Sequence, residues 1–337
     1  MKKLLCFAAL AVLGLLVSCS TTFDGYDLTS NADIETVGAA ITEATLEAQF
    51  DLFPDYPRHI WASDSKHEQV EAAIVTQLAS YGYSVVTQNV DLLVNNTTYN
   101  MNNIIAIKEG TANSNTPIIV SGHWDTVDDS PGMNDNASGC VATLDIARSL
   151  QDQSTSHDVY FVFYAFEEEG YYENGTITFA GSETFYQSID TQGITPKLVI
   201  NMDMIAYTAD EEPSPNDLSQ IIDWPTVGDH IFVFGLNNHL ETVANAAEIA
   251  RSWVPDLNFY NLNVSLEQVK SNDIFSDMKR SDHFTFWKYD INTIFLTVSD
   301  MRFEHYHLPT DTKDKIDYTF LRKVTQWMFY TAYFEAI

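Results

Sequence analysis

The sequence is poor in basic residues and in cysteine, and it has no internal repeat and no low-complexity block. Seventeen lysines and arginines stand against 47 acidic residues, a formal charge of −30 over 337 residues. That balance excludes a nucleic acid or an anionic membrane as a partner reached through electrostatics, and it makes cations the natural partners. The lack of repeats argues against a solenoid. Three cysteines give no framework of disulfides. What the chain does have is apolar residues, 45% of the total. At this length they suffice for one large domain or two small ones with a substantial core.

The N-terminus, MKKLLCFAALAVLGLLVSCS, sets two lysines before an apolar run that is too short and too early for an ordinary spanning helix. It reads as a secretory signal, residues 1–18. Its ending, Leu16-Val17-Ser18-Cys19, resembles a bacterial lipoprotein box, which implies cleavage before Cys19 and acylation of that residue. The polar stretch that follows suits a tether over residues 19–42. Acyl chains at about 0.8 kcal/mol per buried methylene would anchor the protein without a spanning helix. The expected location is therefore outside the cytoplasm, facing the periplasm or the exterior. With Cys19 acylated, Cys140 has no partner for an intrachain disulfide.

Beyond the tether, a catalytic-size domain is expected over 43–337. Ser65-Lys66-His67-Glu68 has the pattern of a capping box, and Val70, Ile74 and Leu78 fall on one helical face that ends at Gly82. Strand-like runs follow at 83–86, 103–107, 116–122, 158–166, 197–202 and 292–298, with helices at 138–150, 241–254 and 316–334. Continuous apolar strands alternating with amphipathic helices predict an α/β fold, a mixed but mostly parallel central sheet sandwiched by helices. Ligands of such sheets bind beyond the carboxyl ends of the strands.

Acids and histidines cluster at those ends. His123 and Asp125 follow TPIIVSG, Glu167, Glu168 and Glu169 follow FVFYAF, Asp203 follows KLVINM, and His307 comes nine residues after NTIFLTV. Asp135 lies in the loop between the His123 strand and its helix. Scattered surface acid has no reason to choose these positions. In order, HWD, PGMNDNASG, EEEG, NMDMIAY, SDHFTFW and HYHLPTDT resemble the motifs of the co-catalytic zinc aminopeptidases typified by bacterial leucyl aminopeptidase and aminopeptidase Y, over roughly residues 60–335.

That resemblance implies two Zn²⁺ per chain, with Co²⁺ or Mn²⁺ as possible substitutes. His123 and Asp203 would bind one ion, Glu168 and His307 the other, and Asp135 would bridge them. Glu167 matches the general base acting on a metal-bridging water, and Asp125 the carboxylate that orients His123. The implied substrate is a peptide with a free N-terminus. Other residues attract blander readings: His283 as packing or support, His305 as a weaker rival to His307, Glu169 as a turn cap or solvated acid, and Cys140 as a small buried residue.

Two departures stand out. YYENGTITFA (171–180) is inserted after the glutamates, beside the expected metals. Met278 occupies the position three residues before Ser281 where some relatives place an oxyanion-binding tyrosine, so that Arg280 or a nearby tyrosine such as Tyr207 is the expected substitute. The acidic segment 209–230 reads as a surface excursion or lid. A glutaminyl-cyclase-like acyltransferase is the main enzymatic rival, although those enzymes keep one functional zinc and typically have serine where this chain has Asn136. A non-catalytic, metal-stabilised binding lipoprotein is the alternative outside enzymology.

Overall fold

Ile118, Ile119 and Val120 are β-branched, and successive residues of a strand face opposite sides of a sheet. Both sides of that strand must then be covered, and they are. A computed structural model of the chain describes residues 32–62, 64–112, 114–173, 176–213, 224–271, 273–299 and 302–337. The signal, Cys19 and the first part of the tether lie outside the described residues. Three helices come first, α1 (Ala32–Ala39), α2 (Glu43–Gln49) and α3 (Asp64–Ser80), then a hairpin of β1 (Ser84–Val94) and β2 (Thr97–Lys108). β3 (Ile118–His123), α4 (Ser138–Leu150) and β4 (Val159–Tyr164) follow, with a small ribbon of β5 (Tyr171–Glu173) and β6 (Thr176–Thr178). The rest is α5 (Ala180–Asp190), β7 (Leu198–Met202), β8 (His230–Leu236), α6 (Leu240–Trp253), β9 (Asn258–Val264), α7 (Leu266–Ser271), α8 (His283–Lys288), β10 (Thr293–Thr297) and α9 (Tyr318–Ala336).

Eight strands form one sheet in the order β1-β2-β4-β3-β7-β10-β8-β9. The four at its centre run parallel, β4 with β3, β3 with β7 and β7 with β10. Antiparallel pairs join β2 to β4 and β8 to β10. Ile118 and Val120 pack with α4 and α9 on one face, while Ile119 packs with Phe185 of α5 and Phe286 of α8 on the other. This is the expected mixed α/β architecture, with the carboxyl ends of β3, β4, β7 and β10 neighbouring one another.

Several expectations need correction. α3 begins at Asp64, so Ser65 lies inside the helix rather than capping it. β1 and β2 are longer than the apolar runs that announce them, because their outer halves form a hairpin turned by Asn95 and Asn96, both at positive φ. β8, β9 and the first two helices went unrecognised in the sequence. Residues 32–42, expected to be tether, are folded onto the domain. Ile34 is buried, and the carbonyls of Gly38 and Ile41 accept from Gln326 of α9.

This N-terminal docking rests on one buried acid. Asp145 of α4 accepts from Thr45 Oγ1 at 3.1 Å, Gln49 Nε2 at 2.8 Å and Arg148 Nε at 2.7 Å. Asp145→Ala leaves the buried Gln49 amide without its acceptor and is expected to lower stability by about 2 kcal/mol. Urea denaturation should read that loss, with limited proteolysis cutting first between residues 32 and 50.

Candidate metal centre

The end of β3 delivers His123, and the turn after β4 delivers Glu167 and Glu168. The loop leaving β7 begins with Asp203, and the loop between β10 and α9 carries His307. Asp135 sits in the loop joining β3 to α4. These side chains meet in three overlapping groups, His123-Asp135-Asp203, Asp135-Glu168-His307 and His123-Glu167-Glu168, of which the first two share Asp135. His123 Nε2 lies 3.5 Å from Asp135 Oδ1 and 3.4 Å from Asp203 Oδ1. His307 Nε2 lies 3.3 Å from Asp135 Oδ2 and 3.2 Å from Glu168 Oε2. Asp135 thus turns one oxygen to each histidine, the geometry of a bridging carboxylate. All five expected ligands are brought together at one place.

Asp125 does more than stand behind His123. Its Oδ1 is 3.5 Å from His123 Nδ1. Its two oxygens also accept the backbone amides of Glu167 and Glu168, each at 3.1 Å. One carboxylate therefore fixes the imidazole and the turn that presents both glutamates. Glu167 Oε2 comes within 3.8 Å of His123 Nε2 and Glu168 Oε2 within 3.2 Å of His307 Nε2, while both carboxylates stay grouped with His123.

The Asp135 loop is tied down from below. Asp311 accepts the amides of Asn134 at 2.7 Å and Asp135 at 3.0 Å. Asn134 Oδ1 accepts from Ala206 N, and Asn136 donates to Met202 O, so the loop is knitted to the segment following β7. Gly139 allows this approach, since a Cβ there would lie 2.4 Å from the Met202 carbonyl. Three non-glycine residues at the centre have positive φ: His307 itself, Phe166 before Glu167, and Met204 after Asp203. Such backbone is held only where surrounding contacts over-determine it, which is the situation here.

Electrostatically, the cluster calls for positive charge. Burial pushes Glu167 well above the carboxylate range, with Glu168 and Asp203 adding to the rise against His123. Burial likewise raises Glu168 to about 7. Burial opposes the charged form of His307, yet Asp135 and Glu168 lift it to about 10. The same contest in His123 is decided by Glu167 and Asp203, and its pKa is well raised. The surroundings of both imidazoles favour positive charge. Glu168 Oε1 and Asp203 Oδ1 are buried without a hydrogen-bond donor. A donor set of imidazole nitrogen and carboxylate oxygen, with orphaned oxygens, fits zinc.

Beside the acids opens a cavity of about 180 Å³, walled by Trp224, Phe232, Phe234, Met278 and Phe295. His283 supports that wall. Its ring stacks on Phe295 at 3.8 Å and its Nε2 donates to Met278 O, while burial pulls its pKa down to about 3. His305 is turned away, bonded to Thr310. Cys140 donates to the His123 carbonyl at 3.0 Å, and burial pushes its thiol up to about 12, so it is inert packing. Asp128 and Asp129 are exposed, as plain solvated acids would be.

Other expectations fail. Glu169 neither caps a turn nor stands free; it accepts from His59 Nε2 at 2.6 Å. Tyr207 packs on Phe303 and is not among the residues lining the cavity. The tyrosine that does line it is Tyr306, stacked 3.8 Å from the ring of His307, with Arg280 NH2 donating to its Oη at 2.9 Å. Within the inserted 171–180 stretch, Tyr171–Glu173 and Thr176–Thr178 pair as the β5-β6 ribbon, and Ile177 and Phe179 pack with the cavity-wall residues Phe232, Phe234 and Phe295, as an insertion that shapes the pocket would. The ends of the 209–230 excursion pair through Ala209 and Gly228 and deliver Trp224, while 214–223 lie outside the described residues. Tyr306, Arg58 and His59 were missed; only the HYH spacing gave a signal, and only for Tyr306.

Residues 103–332 match the model for Peptidase family M28. The uncharacterized protein YfbL of Escherichia coli (strain K12) is 29% identical over 218 residues, 61% of this chain and 63% of that protein. The probable leucine aminopeptidase 2 of Trichophyton verrucosum (strain HKI 0517) is 32% identical over 151 residues, 44% of this chain and 27% of that protein. Both matches therefore span less than two thirds of the relative. An aminopeptidase from Aneurinibacillus sp. strain AM-1 superposes with a TM-score of 0.66 at 16% identity, covering 90% of this chain and 96% of the other. A Porphyromonas gingivalis glutaminyl cyclase does so with a TM-score of 0.63 at 18% identity, covering 91% and 98%. At such identities the likeness to these two structures shows the fold alone. The family-model match spans more than half of the sequence and takes in every candidate ligand, and on that basis the chain belongs to peptidase family M28.

Proposed function

We propose that the protein is a zinc aminopeptidase that removes N-terminal residues from peptides, with His123, Asp135 and Asp203 holding one ion and Asp135, Glu168 and His307 the other. The observation that carries this reading is the pair of clusters sharing Asp135, set at the mouth of an aromatic-walled cavity with Glu167 beside them. Bound there, a zinc pair would supply Lewis acidity towards the scissile carbonyl and acidify a shared water. Glu167 would accept the proton of the attacking water and return it to the leaving amine, as a buried carboxylate with a raised proton affinity is suited to do. Asp125 would hold His123 in register throughout. Tyr306, its Oη already accepting from Arg280, has its hydroxyl proton free for a developing oxyanion. Cobalt or manganese are the expected substitutes for zinc.

The substrate's side chain would enter the cavity. Its aromatic wall suits an apolar side chain such as that of leucine or phenylalanine. The leader and Cys19 support placing the enzyme on a bacterial membrane as a lipoprotein, facing the periplasm or exterior. The likeness to a glutaminyl cyclase favours one second reading, cyclisation of an N-terminal glutamine.

A panel of free and N-acetylated dipeptides, assayed beside metal stoichiometry, separates these readings. Two zincs, a strict requirement for the free amine, and preference for leucine or phenylalanine over aspartate at the N-terminus are expected. Ammonia release from N-terminal glutamine without hydrolysis would replace the proposal with the cyclase. Glu167→Gln should lower kcat by about 10³-fold with both zincs retained by metal analysis.

Tyr306→Phe should cost about 10²-fold in kcat, with KM nearly unchanged in steady-state kinetics. An unchanged kcat would remove the hydroxyl from the mechanism.

Stability should respond to pH in opposite senses with and without metal. In the metal-free protein, Glu168 at about 7 and His307 at about 10 both bind protons more tightly than in the unfolded chain. The folded state therefore holds more protons between about pH 4.5 and 10, and its stability falls as pH rises through that window. Zinc competes with the same protons, so the zinc-loaded protein should gain on the metal-free one as pH rises. Melting temperatures from pH 5 to 9, with zinc and with chelator, test both trends.

A further inference from the structure

The segment before α3 lies outside the family-matched residues, yet it reaches two of the loops that carry candidate ligands. Arg58 is fully buried and donates to three backbone carbonyls: Nε to Trp124 O at 2.6 Å, NH1 to Pro131 O at 2.6 Å and NH2 to Gly132 O at 3.1 Å. Its own amide donates to Thr126 Oγ1 at 2.8 Å. These acceptors sit at the two ends of the loop that leaves β3. One end is flanked by His123 and Asp125, the other by Asp135. The guanidinium spans the neck of that loop, and its planar fork satisfies carbonyls that a lysine ammonium could not reach together.

His59, next in sequence, reaches the other loop. Its Nε2 lies 2.6 Å from Glu169 Oε1, in the turn that presents Glu167 and Glu168. The Trp61 amide donates to its Nδ1 at 3.4 Å, so the proton sits on Nε2, and His67 Nε2 donates to its carbonyl at 2.8 Å. Two consecutive residues thus grip the β3-α4 loop and the turn after β4 from one rigid segment, which packs further through Phe53 against the Arg58 guanidinium. A side chain that only filled space would not need three carbonyls at the loop's two ends. Nor would its neighbour need the only glutamate of the triplet that ligation and base catalysis leave unused.

We propose that Arg58 and His59 are positioning residues that together set the separation of the two ligand-bearing loops, Arg58 for His123 and Asp135, and His59 for Glu167 and Glu168. The inference rests on the metal-centre reading given above. It assigns a role in the site to a segment that the family match does not include.

Amide hydrogen exchange on the intact protein, metal-free and zinc-loaded, tests it beside zinc titration against a chelating dye. In metal-free Arg58→Met, amides of 124–137 should exchange at least tenfold faster while those of β3 and β4 are unchanged, and zinc should bind at least tenfold more weakly. In His59→Leu the faster exchange should be confined to 165–170, and His59→Gln, which keeps an N–H donor for Glu169, should restore it to within twofold. Arg58→Lys, which keeps the charge but not the fork, should fall between wild type and Arg58→Met, and carries the test should the methionine variant fail to fold. Uniformly faster exchange through β3 and β4 would make both residues ordinary packing. So would loop exchange and zinc affinity within twofold of wild type. A wild-type protein that binds no zinc would sink the proposed function, while the crossed pattern of loop exchange would still decide the clamp.

Discussion

Asp125 faces three groups at once, the Nδ1 of His123 and the backbone amides of Glu167 and Glu168. The imidazole is buried, and the two amides lie in the largely buried turn after β4. A carboxylate taken from water is costly unless it is paired and hydrogen-bonded. Asp125 meets that condition through groups that the site itself has to orient. The same contacts hold the ring of His123 and the turn that presents the two glutamates. The ends of β3 and β4 are thereby locked to one another, and the remaining members of the cluster assemble around that lock.

The assembly concentrates acid where the chain can least solvate it. Asp135, Glu167, Glu168 and Asp203 share a small buried volume, and their negative charge lifts both histidines while burial lifts the glutamates. The fold sustains this strain with backbone hydrogen bonds. Asp311 holds the Asn134 and Asp135 amides, Asn136 and Ser138 tie the loop to the segment after β7, and Arg58 closes its neck. Left-handed backbone at Phe166, Met204 and His307 is the visible cost. A site built this way is pre-arranged for cations, and a cation gains most where the protein has already oriented the ligands.

Charge and shape are supplied by different parts of the chain. The acids come from the ends of the central parallel strands, where the doubly covered sheet opens. The aromatic wall comes from β8, β10 and Trp224, on the far half of the sheet, and is braced by His283 rather than by any charged group. Tyr306 and His307 are stacked neighbours that join the two, Tyr306 lining the cavity and His307 reaching Glu168. Elsewhere, such separation lets the apolar wall change without disturbing the ligands.

The sequence by itself determined the alternation of buried strands and amphipathic helices, and with it the sheet and the ends at which acids would gather. It also carried the five candidate ligands and Glu167, because ordered motifs are local and each residue type is readable where it stands. Long-range pairing was not readable. His59 and Glu169 are 110 residues apart, and nothing near either announces the other. Arg58 bonds to backbone carbonyls, which have no residue identity and so leave no pattern to detect. Asp125's grip on the Glu167 and Glu168 amides was hidden for the same reason. The choice of Tyr306 over Tyr207 depended on the turn of one loop, since both lie close to ligands in the chain. The docking of residues 32–42 depended on surfaces of α4 and α9 that exist only once those helices have packed. Residue chemistry was set by the sequence; which groups meet was decided by tertiary structure, because those contacts join distant segments and often use the backbone that every residue shares.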